Sequence, residues 1–152
     1  MTDPLVVDAS AALKWVLAEE HSDSARSLLR GALTEDRSIV APPLLPGEAT
    51  NAIYQRQRRK HISPREADRA LATFLAFPIH LLSPVDLHNQ ALELARRYHL
   101  PATYDAQYLV VALSLGADFW TADEKLYNAL PRSLRWVHWI GELPATPSAP
   151  TR

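Results

Sequence analysis

The sequence contains no cysteine, which excludes disulfide bonds and thiolate metal sites. Any metal ion would therefore have to be bound by oxygen or imidazole ligands. The six histidines show no ligand spacing such as H-x-x-x-H, and this disfavours a zinc hydrolase. A chain without cysteine also fits a reducing compartment.

Long apolar runs are missing as well, since none reaches the roughly 20 residues that a transmembrane helix needs. The N-terminal segment carries Asp3 and no basic stretch of the kind that opens a signal peptide. We therefore expect a cytoplasmic protein without a membrane segment. Neither sign of charge dominates, because the sequence contains 16 basic and 17 acidic residues. With no overall positive field, a polyanion would have to be bound locally.

What the sequence does contain is typical of one soluble globular domain: 152 residues, of which 47% are hydrophobic and 22% charged. Short apolar segments that predict strands alternate with helical segments. We therefore predict an α/β fold with a mostly parallel sheet of about five strands and helices on both faces. Residues 1–141 would form this domain, and the Pro-, Ala- and Thr-rich residues 142–152 would form a flexible tail. The predicted strands are 4–8, 38–42, 79–83, 118–122 and 135–140.

Several helix ends carry recognisable signals. The sequences SPRE at 63–66 and SPVD at 83–86 each place Ser at an N-cap, Pro at the first position and an acid two residues later. They predict helices over about 64–76 and 84–98. Ser10 predicts the N-cap of a helix through about Ala18. Gly116 predicts the end of a helix that begins near residue 103.

Four acids stand at positions where a parallel sheet binds ligands, or on helices beside such positions. Ligand sites in these sheets lie beyond the carboxyl ends of the strands. Asp8 closes the first predicted strand, and Asp123 follows the fourth. Asp105 lies in the first turn of the helix before that fourth strand, and Glu48 lies on a mostly apolar helix face. Asp105 and Asp123 could instead be helix caps, and Glu48 could be solvated; Asp8 is hardest to explain in this way, because a strand-end carboxylate is costly unless it is compensated.

Carboxylates that converge on one sheet edge repel each other, and their pKa values rise. A divalent cation removes this penalty. Ligands that are all oxygen suit Mg²⁺ or Mn²⁺, which keep waters and bind phosphate oxygens. The four acids therefore favour phosphoryl chemistry.

Four stretches together resemble the PIN-domain family, and more specifically the VapC-type toxins of toxin–antitoxin pairs. The resemblance runs from about residue 4 to 140, and each motif alone is weak, whereas their order and spacing are specific. The stretches are VVDASAALKW, PGEATNAI, YDAQYLVVALSLGADFWTAD and the TADEKL that overlaps its end.

This resemblance implies a metal-dependent endoribonuclease, with Mg²⁺ or Mn²⁺ as cofactor, that acts as the toxin of a type II pair. It also implies an RNA substrate, a VapB-type antitoxin partner and a homodimer. The family's acids match four residues of this sequence, and none is substituted: Asp8, Glu48, Asp105 and Asp123. They would be the catalytic residues and the metal ligands, and the expected products are a 3′-hydroxyl and a 5′-phosphate. The family's supporting hydroxyls match Ser10 and Thr121, which would orient the carboxylates.

Further candidates are weaker. Asn51, one turn after Glu48, is a third candidate for a supporting residue. The basic run at 56–61 is more simply a solvated or partner-facing helix end, although phosphate contacts must come from some cations. The candidates for those contacts are Lys14, Arg56, Arg58, Arg59 and Lys125.

Other functions stay open at this point. A phosphoacceptor signalling domain also groups acids at strand ends, but its acceptor should end a central strand in mid-chain, where this sequence has Pro and Ser. A metal phosphatase acting on small molecules is disfavoured because Ser10 stands where a D-x-D pair would have its second acid. A non-catalytic nucleic-acid-binding module would have lost its acids. A general RNA-processing nuclease without an antitoxin is a further alternative.

Overall fold

The computed structural model of the protein describes residues 3–144. Their centre is a five-stranded sheet in which every pair of neighbouring strands is parallel, with the order β3-β2-β1-β4-β5. The predicted α/β fold is confirmed, and each strand is shorter than the segment predicted for it. The strands are β1 (Leu5–Val7), β2 (Ile39–Ala41), β3 (Ile79–Leu81), β4 (Asp118–Thr121) and β5 (Val137–Trp139).

Strand β1 is the innermost strand, and all three of its residues are buried. Leu5 is paired with Ile39 of β2, and Val7 is paired with Trp120 of β4. This continuous run of branched apolar residues is typical of a strand that is covered on both faces. The strand order reverses between β1 and β4, because the chain first builds outward from β1 through β2 to β3 and then returns to place β4 on the other side of β1. Such a switch point leaves a cleft at the carboxyl ends of the two strands that flank it.

Seven α-helices connect or follow the strands within the described residues. Right-handed crossovers place α1 to α4 on one face of the sheet and α5 and α6 on the other. Helix α6 packs over the middle of the sheet against β1, β2 and β4, so its residues 106–112 are all buried. The helices are α1 (Ala9–Ala12), α2 (Ser22–Thr34), α3 (Leu45–Arg58), α4 (Pro64–Leu75), α5 (Leu87–Arg97), α6 (Tyr104–Leu115) and α7 (Glu124–Ala129).

The start of α1 differs from the prediction. Its N-cap is Asp8 and not Ser10, because the backbone of Asp8 is still extended while its carboxylate accepts a hydrogen bond from the amide of Ala11 at 2.9 Å. The α-helix ends at Ala12 and continues only as a 3₁₀ turn to Trp15, so the prediction of a helix through Ala18 was wrong. Ser10 can therefore use its hydroxyl elsewhere.

The two Ser-Pro signals have different outcomes. Ser63 caps α4 as predicted, accepting a hydrogen bond from the amide of Glu66 at 3.1 Å. Ser83 is not the cap of α5, because that helix begins only at Leu87, after Asp86 in a left-handed conformation. The chain stays extended past β3, where Leu82 donates its amide to a carbonyl of β2, and the helix starts later than the motif predicts. The predicted start at residue 84 was therefore wrong.

The chain after β5 remains bonded to the rest of the domain. Residues 140–142 form a 3₁₀ turn, and the hydroxyl of Ser24 donates to the carbonyl of Leu143 at 2.7 Å. Residues 145–152 of the predicted tail lie outside the described residues. No helix between residues 3 and 144 is both long and apolar enough to cross a bilayer.

The free energy of unfolding can test whether Ser63 caps a helix and Ser83 does not. Replacing Ser63 with Ala should lower the free energy of unfolding by about 1 kcal/mol, because α4 loses its cap. Replacing Ser83 with Ala should change it by less than about 0.5 kcal/mol, as for an ordinary surface position. Urea denaturation of both variants measures the difference. Equal losses would contradict the placement of the two helix starts.

Candidate active site

The carboxylate of Asp8 lies at the carboxyl end of β1, and only 4% of this residue is exposed. Both of its oxygens accept hydrogen bonds. Oδ1 accepts from the hydroxyl of Ser10 at 2.6 Å and from the amide of Ala11 at 2.9 Å. Oδ2 accepts from the hydroxyl of Thr121 at 2.5 Å. The buried acid is thus fixed in one orientation.

The two hydroxyls that hold Asp8 are themselves held by the backbone that follows β4. Ser10 Oγ accepts from the amide of Ala122 at 3.0 Å, and Thr121 Oγ1 accepts from the amide of Asp123 at 3.0 Å. Each hydroxyl thus donates to the carboxylate and accepts from an amide, and the two hydroxyl oxygens lie 3.4 Å apart. These bonds join the end of the central strand to the turn that carries another candidate acid.

Burial dominates the protonation of Asp8. Desolvation raises its pKa from 3.8 to about 6, although the hydrogen bonds from Ser10, Thr121 and Ala11 act in the opposite direction. The negative charge of Asp105 raises this pKa further. The pKa of Asp8 is raised even though three donors stabilise its charged form, so the cost of burying the charge exceeds what these hydrogen bonds contribute.

Glu48 reaches the same region from helix α3. Two prolines, Pro42 and Pro43, follow β2 directly and end the strand, because proline cannot donate to a sheet. A turn closed by the amide of Leu45 and the carbonyl of Pro42, at 3.1 Å, then opens the helix and places Glu48 in its first turn. Its side chain accepts a hydrogen bond from the hydroxyl of Tyr108 at 2.6 Å.

The pKa of Glu48 is also raised. Desolvation is the largest cause, the hydrogen bond from Tyr108 partly offsets it, and the charge of Asp105 adds to it. Glu48 is half-buried and not exposed, so the solvated alternative does not describe its environment.

Asp105 and Asp123 complete the set from the other side of the cleft. Asp105 lies in the first turn of α6, and burial followed by the charge of Asp123 raises its pKa. Asp123 is the N-cap of α7, where one carboxylate oxygen accepts from the amides of Lys125 at 3.0 Å and Leu126 at 3.2 Å. Asp123 is therefore a helix cap, which is the alternative role that the sequence left open. Its charge also raises the pKa of Asp105.

Asp105 links the four acids electrostatically. Its charge affects the pKa of Asp8 and of Glu48, and its own pKa responds to Asp123. Each of the four acids is thus electrostatically coupled to at least one other. Within residues 3–144, however, no three acidic or histidine side chains lie close enough, as they are placed, to bind one ion.

The chemistry of the donor set still fits Mg²⁺ or Mn²⁺. All candidate donors are carboxylate or hydroxyl oxygens, and the acids repel one another in a way that a cation would relieve. Mg²⁺ is commonly bound through one or two carboxylates together with waters and phosphate oxygens, so it does not need a closed protein cage.

The candidates for phosphate contact lie in different environments. Lys14 and Arg56 both pair with Glu19, at 3.2 and 2.6 Å, so this one carboxylate neutralises part of their combined charge within the protein. Arg58 and Arg59 lie at the end of α3, about 15 Å along the helix from Glu48.

Two further candidates lie close to the acids in sequence. Lys125 is exposed in the first turn of α7, next to the cap Asp123. Asn51 is exposed, and within residues 3–144 no hydrogen bond joins its side chain to a candidate acid.

Comparison with known proteins agrees with this geometry. The model of the PIN domain family matches residues 5–129. The chain belongs to the PIN domain family. A relative, Ribonuclease VapC3 of Pyrobaculum aerophilum, is 29% identical over 131 residues, which cover 84% of this chain and 95% of that protein.

Two solved structures share the fold of this PIN domain. The protein PAE2754 of Pyrobaculum aerophilum has a TM-score of 0.64 and 25% identity, with 93% of each chain covered. VapC20 of Mycobacterium tuberculosis, described as a toxin that cleaves the sarcin-ricin loop, has a TM-score of 0.60 and 20% identity. The match covers 82% of this chain and 94% of VapC20.

Sequence reasoning missed Tyr108, the residue of the PIN domain that bonds Glu48. The signal for it was available, because Tyr108 stands three residues after Asp105 and so lies on the same face of α6. Its apolar neighbours in the sequence made it indistinguishable from a core residue.

The raised pKa of Asp8 predicts how pH and substitution affect stability without metal. Because the folded-state pKa of about 6 exceeds the ordinary 3.8, Asp8 destabilises the fold increasingly as pH rises between these values. Replacing Asp8 with Asn should therefore raise the free energy of unfolding at about pH 8 by about 1 to 3 kcal/mol. At about pH 5 the gain should be smaller, because wild-type Asp8 is then mostly protonated.

Urea denaturation in the presence of EDTA at the two pH values measures this gain. An Asp8→Asn variant that is less stable than wild type at pH 8 would show that the charged carboxylate stabilises the fold.

Proposed function

We propose that this PIN domain is a metal-dependent endoribonuclease that hydrolyses phosphodiester bonds of RNA and acts as the toxin of a type II toxin–antitoxin pair. The observation that carries the proposal is the buried carboxylate of Asp8, held by two hydroxyls and coupled through Asp105 to two further acids. The similarity to Ribonuclease VapC3 supports both the reaction and the biological role.

The metal ligands would be Asp8, Glu48 and Asp105, with Asp123 assisting. When bound, Mg²⁺ or Mn²⁺ would polarise the scissile phosphate and make a bound water nucleophilic at neutral pH. The other functional contribution of the chain is to aim these carboxylates. Ser10 and Thr121 do this for Asp8, because both hydroxyls donate to its carboxylate and offset part of the rise in pKa that burial causes.

Because the four acids are negatively charged, binding of the RNA phosphates requires Lys or Arg side chains near the site. A cluster of carboxylates repels the phosphates of RNA, and the protein has no overall positive charge. Lys125 is the best-placed phosphate contact of the predicted set, since it is exposed beside Asp123. Arg58 and Arg59 would contact nucleotides farther along the strand, and Lys14 and Arg56 would contribute less because of their pairing with Glu19.

The partners follow from the proposed role. A VapB-type antitoxin would cover the acidic site, the PIN domain would form a homodimer, and both would be cytoplasmic. VapC20 is described as cleaving the sarcin-ricin loop, so a single-stranded RNA loop is a reasonable first substrate to test. A general nuclease without antitoxin is the second candidate, and co-expression with the product of an adjacent short gene distinguishes the two.

Replacing Asp8 with Asn should reduce cleavage of single-stranded RNA by about 100-fold or more, as loss of one charge-stabilising group does in other active sites. Because the same change should stabilise the metal-free fold, loss of activity could not be attributed to unfolding. Asp118→Asn is a matched control, because Asp118 begins β4 at the opposite edge of the sheet and pairs with His138. Full cleavage by the Asp8→Asn variant would sink the proposal.

Removing divalent ions should stop the reaction. Treatment with EDTA is expected to abolish cleavage, and added Mg²⁺ or Mn²⁺ should restore it, because the site has only oxygen ligands. Cleavage that persists in EDTA, from protein free of contaminating nucleases, would contradict a metal-dependent mechanism.

Lys125 can be tested by binding rather than cleavage. In an Asp8→Asn background, replacing Lys125 with Ala should weaken the binding of a short RNA and reduce the salt slope of log K by about 1. Replacing Lys14 with Ala should have a smaller effect, because Lys14 already pairs with Glu19. Fluorescence anisotropy at several salt concentrations measures both. An unchanged slope for the Lys125→Ala variant would exclude a phosphate contact there.

A further inference from the structure

The hydroxyl of Tyr108 is buried among the acids of the PIN domain. Only 1% of Tyr108 is exposed, and its hydroxyl donates to Glu48 Oε1 at 2.6 Å. The phenol is the donor of this bond, so its hydroxyl can hold the carboxylate of Glu48 in one orientation.

The ring that carries this hydroxyl is rigidly held. Tyr108 stacks on Phe119 of β4, with ring centroids 6.1 Å apart and an angle of 27° between the rings. Phe119 is fully buried, and it lies on the strand next to β1. Helix α6 is also buried along this stretch. A phenol has only two side-chain torsions, so packing of the ring fixes the position of the hydroxyl.

Glu48 has more freedom and needs such a fixed partner. Its side chain is half-buried, lies in the first turn of α3 and has three torsions. The hydrogen bond from Tyr108 joins α3 to α6, the helix that also carries Asp105 one turn earlier. One helix thus bears a candidate ligand and the donor that orients another.

We propose that Tyr108 is a positioning residue that aims the carboxylate of Glu48 for metal binding. This inference rests on the metal-dependent function proposed above. A merely structural hydroxyl would contribute to folding but would leave the affinity for the ion unchanged.

The test is Mn²⁺ binding to the full-length protein without RNA, measured by calorimetry at about pH 8, where carboxylates are ionised. Tyr108→Phe keeps the ring and removes only the hydroxyl. It should weaken Mn²⁺ binding by about tenfold, the lower end of what loss of a partner that orients a ligand costs. Melting curves without metal check that each variant is folded.

A matched control removes a similar bond elsewhere. The hydroxyl of Tyr127 donates to Glu142 Oε1 at 2.9 Å, and Glu142 is not one of the four candidate acids. Tyr127→Phe should bind Mn²⁺ as wild type does. If Tyr108→Phe also binds as wild type does, the inference is overturned while the proposed metal site stands. If wild type itself fails to bind Mn²⁺, the proposed metal site and this inference both fail.

A double-mutant cycle tests whether Tyr108 affects Mn²⁺ binding through Glu48. Electron paramagnetic resonance of Mn²⁺ gives affinities for the weaker variants. In a Glu48→Ala background, Tyr108→Phe should cause no further loss, because the group that Tyr108 aims is gone. An equal loss in both backgrounds would show that Tyr108 acts on the ion by another route, and it would overturn the inference.

Discussion

The hydrogen-bonded burial of Asp8 is the constraint on which both the local fold and the site depend. An ionised carboxylate at the end of a buried strand is costly unless donors compensate it. Here two hydroxyls and one amide do so, and each connection also has a structural role. The bond from the amide of Ala11 caps α1, while Ser10 and Thr121 attach the end of β1 to the turn after β4. The pKa of Asp8 remains raised in spite of these donors, so the carboxylate still lacks a positive partner.

The strand order and two helices determine where the other three acids lie. Strands β1 and β4 flank the point where the strand order reverses, and their carboxyl ends bring Asp8 and Asp123 to one edge. Helices α3 and α6 add Glu48 and Asp105 from opposite faces of the sheet. Burial raises the pKa values of Asp8, Glu48 and Asp105, and repulsion between the acids adds to the rise, so ionised acids here oppose stability in the absence of a cation, as is typical of sites where function opposes stability.

Much of this could be predicted from the sequence because strand identity and strand ends are local properties. The apolar run before Asp8 indicated a strand, and the fold followed from the alternation of strands and helices. At Ser83 the local sequence signal is overridden by a contact with a distant part of the chain. The Ser-Pro motif predicts a helix start there, but the chain stays bonded to β2 at Leu82 and α5 begins only at Leu87. Tyr108 shows the other failure: its bond to Glu48 joins residues 60 positions apart, and no local pattern encodes such a contact. The pairing of Lys14 and Arg56 with Glu19 is a similar case, since the sequence shows three charges but not their distances.

The most direct test of a shared metal site is a crystal structure of the protein soaked in Mn²⁺, with anomalous diffraction used to locate the ion. We expect an anomalous peak at the carboxyl edge of the sheet, within bonding distance of Asp8 and of at least one of Glu48 and Asp105. A peak only at other carboxylates, or none at this edge at a saturating Mn²⁺ concentration, would contradict the convergence of these acids on one ion.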